Sequence, residues 1–167
     1  MWLRHLLAIA VLPFVVAVVI PLWIARGNDI GWRVGSGAGA VLGQLVGASV
    51  LVIGLLLFAS SLRRFATEGE GTLAPWDPPR SLVIRGPYRY VRNPMISGVI
   101  LVLLGEALLL LSGPHLAWAA IFFAINAVYI PLLEEPQLAN RFGPAYEVYR
   151  RNVPRLIPRL RPWHGPD

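Results

Sequence analysis

The chain contains no cysteine. That absence excludes disulfides, thiolate metal sites and a cysteine nucleophile. Lysine is absent too: all 15 basic residues are arginine, a bias that reads as genome composition more than mechanism. Histidine is scarce, and His5, His115 and His164 are scattered without metal-ligand spacing, so no metal site is expected. Charge is equally scarce. Only 14% of the 167 residues are charged, where a soluble domain carries about 25%. No Walker loop, Rossmann glycine fingerprint or Ser-His-Asp set is present.

What is there is apolar. Hydrophobic residues make up 56% of the chain and the mean hydropathy is +0.59, which defines a membrane protein before any motif is read. Four apolar runs, over residues 6–24, 38–62, 95–111 and 116–133, are each read as a helix crossing a bilayer core of about 30 Å. The first exceeds the usual apolar region of a signal peptide and lacks a small-residue cleavage site after it. Pro13 and Pro21 are expected to kink or end it. In the second, Gly43-x3-Gly47 has small-x3-small spacing, assigned to packing within one chain more readily than to a dimer. Ser112-Gly113-Pro114 makes a tight turn between the third and fourth runs. Glu106 lies inside the third run; a structural role is expected for it, held by interfacial water or an indole such as Trp118.

Polar chain is confined to a loop over residues 63–94 and a tail over 134–167. Within the tail, Leu138, Phe142, Tyr146, Tyr149 and Val153 mark one apolar helix face, interrupted at Gly143-Pro144. Two short interfacial helices in series are therefore expected. The expected fold is an all-α integral membrane protein with about four transmembrane helices and short C-terminal interfacial helices, forming a single domain over residues 1–167. The N-terminus, the loop and the tail hold one, six and six arginines, and the two remaining connections hold two and none. That bias predicts both termini and the loop on the cytoplasmic side, in a bacterial inner membrane. It also accounts for the net charge of +6 without nucleic acid as a partner.

The loop ends in Arg85-Gly86-Pro87-Tyr88-Arg89-Tyr90-Val91-Arg92-Asn93-Pro94. Its two prolines disfavour helix at the residues before them and predict a fixed turn entering the third run. Arg85, Arg89 and Arg92 read as a positively charged membrane flank or as planar donors for carboxylate and phosphate. Together with Glu134-Glu135 after the fourth run they form a site suited to a charged, nucleotide-like ligand. The surrounding spans would admit a lipophilic second substrate.

Gly86-Pro87-Tyr88-Arg89-Tyr90-Val91-Arg92-Asn93-Pro94-Met95, an apolar hairpin, Glu134-Glu135, and then Phe142-Gly143-x2-Tyr146-x2-Tyr149-x3-Val153-Pro154 resemble the isoprenylcysteine carboxyl methyltransferases. These membrane methyltransferases are related to the phospholipid N-methyltransferases. The resemblance runs from about Gly69 to Pro158. It implies an S-adenosylmethionine-dependent methyltransferase embedded in the membrane, acting on a lipophilic or membrane-associated small molecule by O-, N- or S-methylation. Carried over by position, the cofactor contacts fall on Arg80, Ser81, Leu82, Val83, Tyr88, Asn93, Pro94, Met95, Ile96 and Glu134. Arg92 is the candidate catalytic residue, orienting the acceptor or stabilising charge. Two departures matter. Ile96 stands where the family has tyrosine, and Ile130 where relatives acting on isoprenylcysteine carry an arginine for the substrate carboxylate. Two further readings remain at this stage: an NADPH-dependent membrane reductase of the sterol reductase type, and a small non-catalytic membrane protein.

Overall fold

The computed structural model describes residues 10–68 and 81–165, and every regular element among them is helical. A π-helix, Ala10–Val19, carries Pro13 and continues into α1 (Ile20–Gly27). Proline lacks an N–H and crowds the preceding turn; widening the helix to the π form accommodates both effects, so the expected break becomes a bulge. The same device recurs at the π turn Ile130–Glu134, which holds Pro131. Helix α2 (Ala38–Glu68) has 31 residues and overruns its expected end at residue 62. The i,i+4 pair Arg64–Glu68, at 2.8 Å, supports that last stretch. After α2 come a 3-10 turn, Gly86–Arg89, then α3 (Pro94–Leu109) and α4 (Gly113–Tyr129). Beyond the π turn lie α5 (Glu135–Phe142) and α6 (Pro144–Asn152). Between them Gly143 sits at φ +55°, a conformation only glycine adopts without strain, and Pro144 opens the next helix. Two short helices in series are thus observed where the interrupted stripe predicts them.

Two helical stretches, Ala38–Glu68 and Gly113–Phe142, are long and apolar enough to cross a membrane; the apolar stretches Pro13–Gly27 and Pro94–Leu109 are shorter. The second long stretch has 30 residues where about 20 suffice, so a span that begins at Gly113 ends before Glu134.

The described chain divides into two units, residues 1–56 with 98–123 and residues 57–97 with 124–167. In the first, α2 and α3 touch backbone to backbone. A Cβ on Gly105 would lie 2.6 Å from the backbone N of Leu51, and one on Gly54 would lie 2.7 Å from the N of Val102. Gly47 meets Leu108 in the same way, so the small-residue pattern works within the chain. Gln44 fastens the neighbouring loop: its Nε2 donates to the carbonyls of Arg33 and Leu109, and its Oε1 accepts from Gly35 N–H at 2.9 Å.

Buried His115 is structural. Its Nε2 lies 3.1 Å from the Pro21 carbonyl, which can only accept, so Nδ1 accepts from the Ser112 hydroxyl at 2.7 Å. Both ring nitrogens are satisfied with the ring neutral. Trp118 Nε1 donates to the Val16 carbonyl at 3.1 Å, so the indole expected to hold Glu106 is engaged elsewhere. Glu106 Oε2 is buried without a partner.

Candidate functional site

Every side chain of the candidate site belongs to the second unit. Its scaffold begins with the aromatic stripe on α5 and α6. Tyr146, Tyr149 and Val153 are buried, with Leu138, Phe142, Leu82, Ile84 and Trp163 packed against them. The rings of Tyr146 and Tyr149 meet edge-on at 6.3 Å, and those of Tyr149 and Trp163 lie 5.8 Å apart. The apolar face marked by the sequence packs on protein, because the loop before α3 and the tail after α6 supply apolar partners for it. Tyr149 also donates its hydroxyl to the Tyr88 carbonyl at 2.6 Å, tying α6 to the 3-10 turn.

The tail clamps the motif loop through its backbone. Arg92 N–H donates to Pro154 O at 2.8 Å and Asn93 N–H to Arg155 O at 3.1 Å. Arg159 N–H donates to Tyr90 O and Trp163 N–H to Arg89 O, each at 2.9 Å. Ser97, on the first turn of α3, places its hydroxyl 2.7 Å from Leu156 O. Residues 89–97 are thus held along much of the segment that the sequence presents only as a proline-broken tail.

At the centre lies Glu135, 4% exposed. Arg155 grips it through two bonds, Nε to Oε1 at 2.6 Å and Nη2 to Oε2 at 3.1 Å. Arg92 Nη2 lies 3.0 Å from the same Oε1, and Arg92 Nη1 donates to the Tyr146 hydroxyl at 3.3 Å. Burial alone would raise the Glu135 carboxyl, but the Arg155 hydrogen bond and the charges of Arg92, Arg155 and Arg150 outweigh it and hold the group below the usual range. Glu134 behaves oppositely. Burial first, then the adjacent Glu135 carboxylate, push it up to about 7 against the pull of Arg92. Two neighbouring carboxyls thus differ in protonation because only one sits in the arginine clamp.

Tyr88 is buried and its hydroxyl has no partner; burial, with Tyr149 and Glu134 nearby, holds the phenol protonated far above its ordinary range. Arg92 Nε is likewise buried and unpartnered. Buried polar atoms are seldom left unsatisfied, and an ordered water or a bound group is the usual partner of such orphans.

Of the residues expected from sequence, Tyr88, Arg92 and Glu134 come together here. Asn93 adjoins them, but its amide nitrogen is directed to the Arg155 carbonyl at 3.5 Å. Pro94 is buried as the first residue of α3, with Met95 and Ile96 half-buried behind it. Leu82 and Val83 line a separate cavity of about 310 Å³ with Glu68, Ile84 and Arg85; Ser81 is half-buried. Arg80 lies outside the described residues. Glu135, Arg155 and Tyr146 were not singled out individually by sequence reasoning. The doubled acid at 134–135 was the available signal, and it does not say which of the two is clamped. Ile130 is completely buried, an apolar contact at the place where a carboxylate-binding arginine would stand.

An all-helical chain with two stretches apolar enough to cross a membrane, and an arginine-clamped Glu135 beside an arginine–tyrosine loop, is consistent with a helical membrane protein. The family described as phospholipid methyltransferase matches residues 42–145, well over half of the chain, and this chain belongs to it. Methanethiol S-methyltransferase 2 of Bradyrhizobium diazoefficiens is 37% identical over 77 residues, a segment covering 44% of this chain and 27% of that protein. No solved structure matches the chain.

Proposed function

We propose that this chain is an S-adenosylmethionine-dependent membrane methyltransferase acting on a lipophilic or membrane-associated small molecule. The observation that carries the reading is the pair of buried, unpartnered donors, Tyr88 Oη and Arg92 Nε, next to the Glu134-Glu135 pair. A ligand with hydroxyls, an amino group and a carboxylate has the complementary groups. Glu134 would hold the amino group or ribose hydroxyls, Tyr88 would donate from its phenol, and Arg92 would offer its remaining N–H to a carboxylate or to the acceptor. Arg80, Ser81, Leu82, Val83, Asn93, Pro94, Met95 and Ile96 are cofactor contacts by the resemblance alone, and Leu82 and Val83 line a cavity apart from Tyr88, Arg92 and Glu134. Glu135 and Arg155 position Arg92, touching no reactant themselves. When bound, the cofactor would supply a methyl group already activated on a sulfonium, so the chain's part is alignment and exclusion of water, and a thiol acceptor must also lose its S–H proton as the new S–C bond forms.

For the acceptor, the name of the Bradyrhizobium relative favours a small thiol. Buried Ile130 argues against isoprenylcysteine, whose carboxylate would lose its arginine. Four spans with both termini cytoplasmic remain our reading of the arginine distribution. The test uses the full chain in detergent. S-adenosylhomocysteine should raise its thermal midpoint because it binds only the native state, and labelled S-adenosylmethionine with methanethiol should give labelled dimethyl sulfide. A midpoint raised by NADPH and not by S-adenosylhomocysteine would overturn the proposal.

A further inference from the structure

A second polar cavity, of about 380 Å³, is lined by Arg64, Ile84, Arg85, Gly86, Arg89 and His164. Three arginines and a histidine line one space, with no carboxylate among its described lining residues. Like charges gathered this way repel one another, so the arrangement calls for an anion to offset them.

The walls are held in place. Gly86, at φ +56°, carries no side chain, and Arg64 Nε lies 3.3 Å from where its Cβ would be; any larger residue would push against that guanidinium. Arg64 is also tethered to Glu68 at 2.8 Å. Arg89 Nε donates to the Trp163 carbonyl at 2.7 Å while Trp163 N–H donates to the Arg89 carbonyl at 2.9 Å, which fixes the wall that carries His164. Arg85 is exposed and makes no ion pair among the described residues. Arg89 has a neutral carbonyl as its partner, so two of the three guanidinium charges are unpaired among the described residues, a set that suits a tetrahedral oxyanion with several acceptor atoms.

We infer that this cavity binds a phosphate group, separately from the Tyr88–Arg92–Glu134 site. The shared chemistry is a phosphate oxyanion, supplied by a membrane phospholipid headgroup or by free inorganic phosphate. The headgroup is favoured by the same tail segment, in which Ile157 and Leu160 are 77% and 99% exposed and offer apolar surface for acyl chains. Binding there would brace the 3-10 turn Gly86–Arg89, whose Tyr88 belongs to the other site. The inference goes beyond the methyltransferase reading and stands without it.

The test is calorimetric titration of the full chain in neutral detergent with a short-chain phosphatidylglycerol, a short-chain diacylglycerol or inorganic phosphate. Phosphatidylglycerol should bind saturably and diacylglycerol should not. Arg85→Gln should weaken phosphatidylglycerol by at least about tenfold, since one charge-assisted contact is lost, and Arg85→Lys by less. Phosphatidylglycerol binding at least about tenfold tighter than inorganic phosphate identifies the lipid as the source, and equal affinities identify the free anion. Arg64→Gln gives a second reading, with Arg85→Gln decisive if loss of the cover over Gly86 impairs folding. No binding of either phosphorus-bearing probe, or affinity unchanged in Arg85→Gln, overturns the inference. The midpoint shift with S-adenosylhomocysteine, read on the wild-type chain without any phosphorus-bearing probe, reports the methyl-donor site by itself, so failure of this site and failure of the methyl-donor site are told apart.

Discussion

Glu135 carries the strongest electrostatic commitment in the candidate site, since its one negative charge is shared by the buried guanidinium of Arg92 and the partly exposed one of Arg155. Removing one member of such a cluster leaves the others desolvated and unpaired, which costs about 3–5 kcal/mol when the pair is buried. Glu135→Ala should therefore lower the thermal midpoint strongly, and Glu135→Gln less, because the amide oxygen still accepts from Arg155. Acid denaturation supplies the sign. A carboxyl held low in the folded state contributes in full above its unfolded value of about 4.3, and the contribution is lost as pH falls through the lower folded value. Wild type should thus lose stability more steeply below about pH 4 than Glu135→Gln does. Equal acid slopes would mean that the clamp contributes nothing net. The same geometry changes what an Arg92 variant reports: Arg92→Ala breaks a buried pair as well as removing a donor, so a loss of turnover counts as chemistry only if the midpoint is kept.

Glu134 gives the pH signature of ligand binding. With its carboxyl at about 7, the neutral and charged forms coexist near neutrality. A ligand carrying a sulfonium and an ammonium prefers the charged form, so below pH 7 binding must expel a proton. Affinity for S-adenosylmethionine should fall with decreasing pH, by up to about tenfold per unit below 7, and level off above it. Titrations at about pH 6 and about pH 8 in two buffers of different ionisation enthalpy would detect the released proton. Glu134→Gln should bind more weakly and with little pH dependence. A wild-type affinity that does not change with pH would remove Glu134 from contact with the cationic end of the donor.

At the scale of elements, glycine decides how closely α2 and α3 approach. Gly105→Ala would set a Cβ 2.6 Å from the backbone of Leu51, and backbone cannot step aside as a flexible side chain can. Forcing the helices apart should cost about 1–3 kcal/mol. Gly39→Ala, with nothing within 4 Å of its added Cβ, is the matched control and should be neutral or slightly stabilising. Thermal midpoints of the two variants make the comparison, and equal midpoints would contradict the close packing. Helix existence, the hairpin turn at Ser112 and the break at Gly143-Pro144 were legible in sequence, because apolar runs, proline and glycine act locally. The tail's grip on residues 89–93 was not legible, since it runs through backbone N–H and carbonyl groups that every residue carries. Nor were the π turns. Pro13 and Pro131 signal a disturbance in the helix, but whether it becomes a break or a bulge depends on packing around them. The doubled glutamate pointed to the site and left open which carboxylate the arginines hold.

At the scale of the molecule, the ion pair between Arg92 and Glu135 constrains topology. Among the described residues, only Ala38–Glu68 and Gly113–Phe142 are long enough to cross by themselves. If those two alone crossed, Arg92, which precedes Pro94–Leu109, and Glu135, past the spanning part of the last helix, would lie on opposite faces of the membrane. They are 3.0 Å apart. If both long stretches do cross, the pair requires Pro94–Leu109 to carry the chain across as well, although at 1.5 Å per residue its 16 residues reach only about 24 Å. Hydrophobic mismatch of a few ångströms is met by local thinning of the bilayer or by the flanking turn residues, at modest cost. Arginines on both sides of that crossing then gather on one face, as the positive-inside bias requires. Reporter fusions after Ser81 and after Val153 should therefore both report the cytoplasm, and a fusion after Gly113 the opposite side. A fusion after Asn28 should also report the outside if the apolar stretch Pro13–Gly27 belongs to a first span. Cytoplasmic signal at Gly113 together with cytoplasmic signal at Val153 would mean that neither α3 nor α4 crosses, and the one-sided four-span arrangement would have to be abandoned.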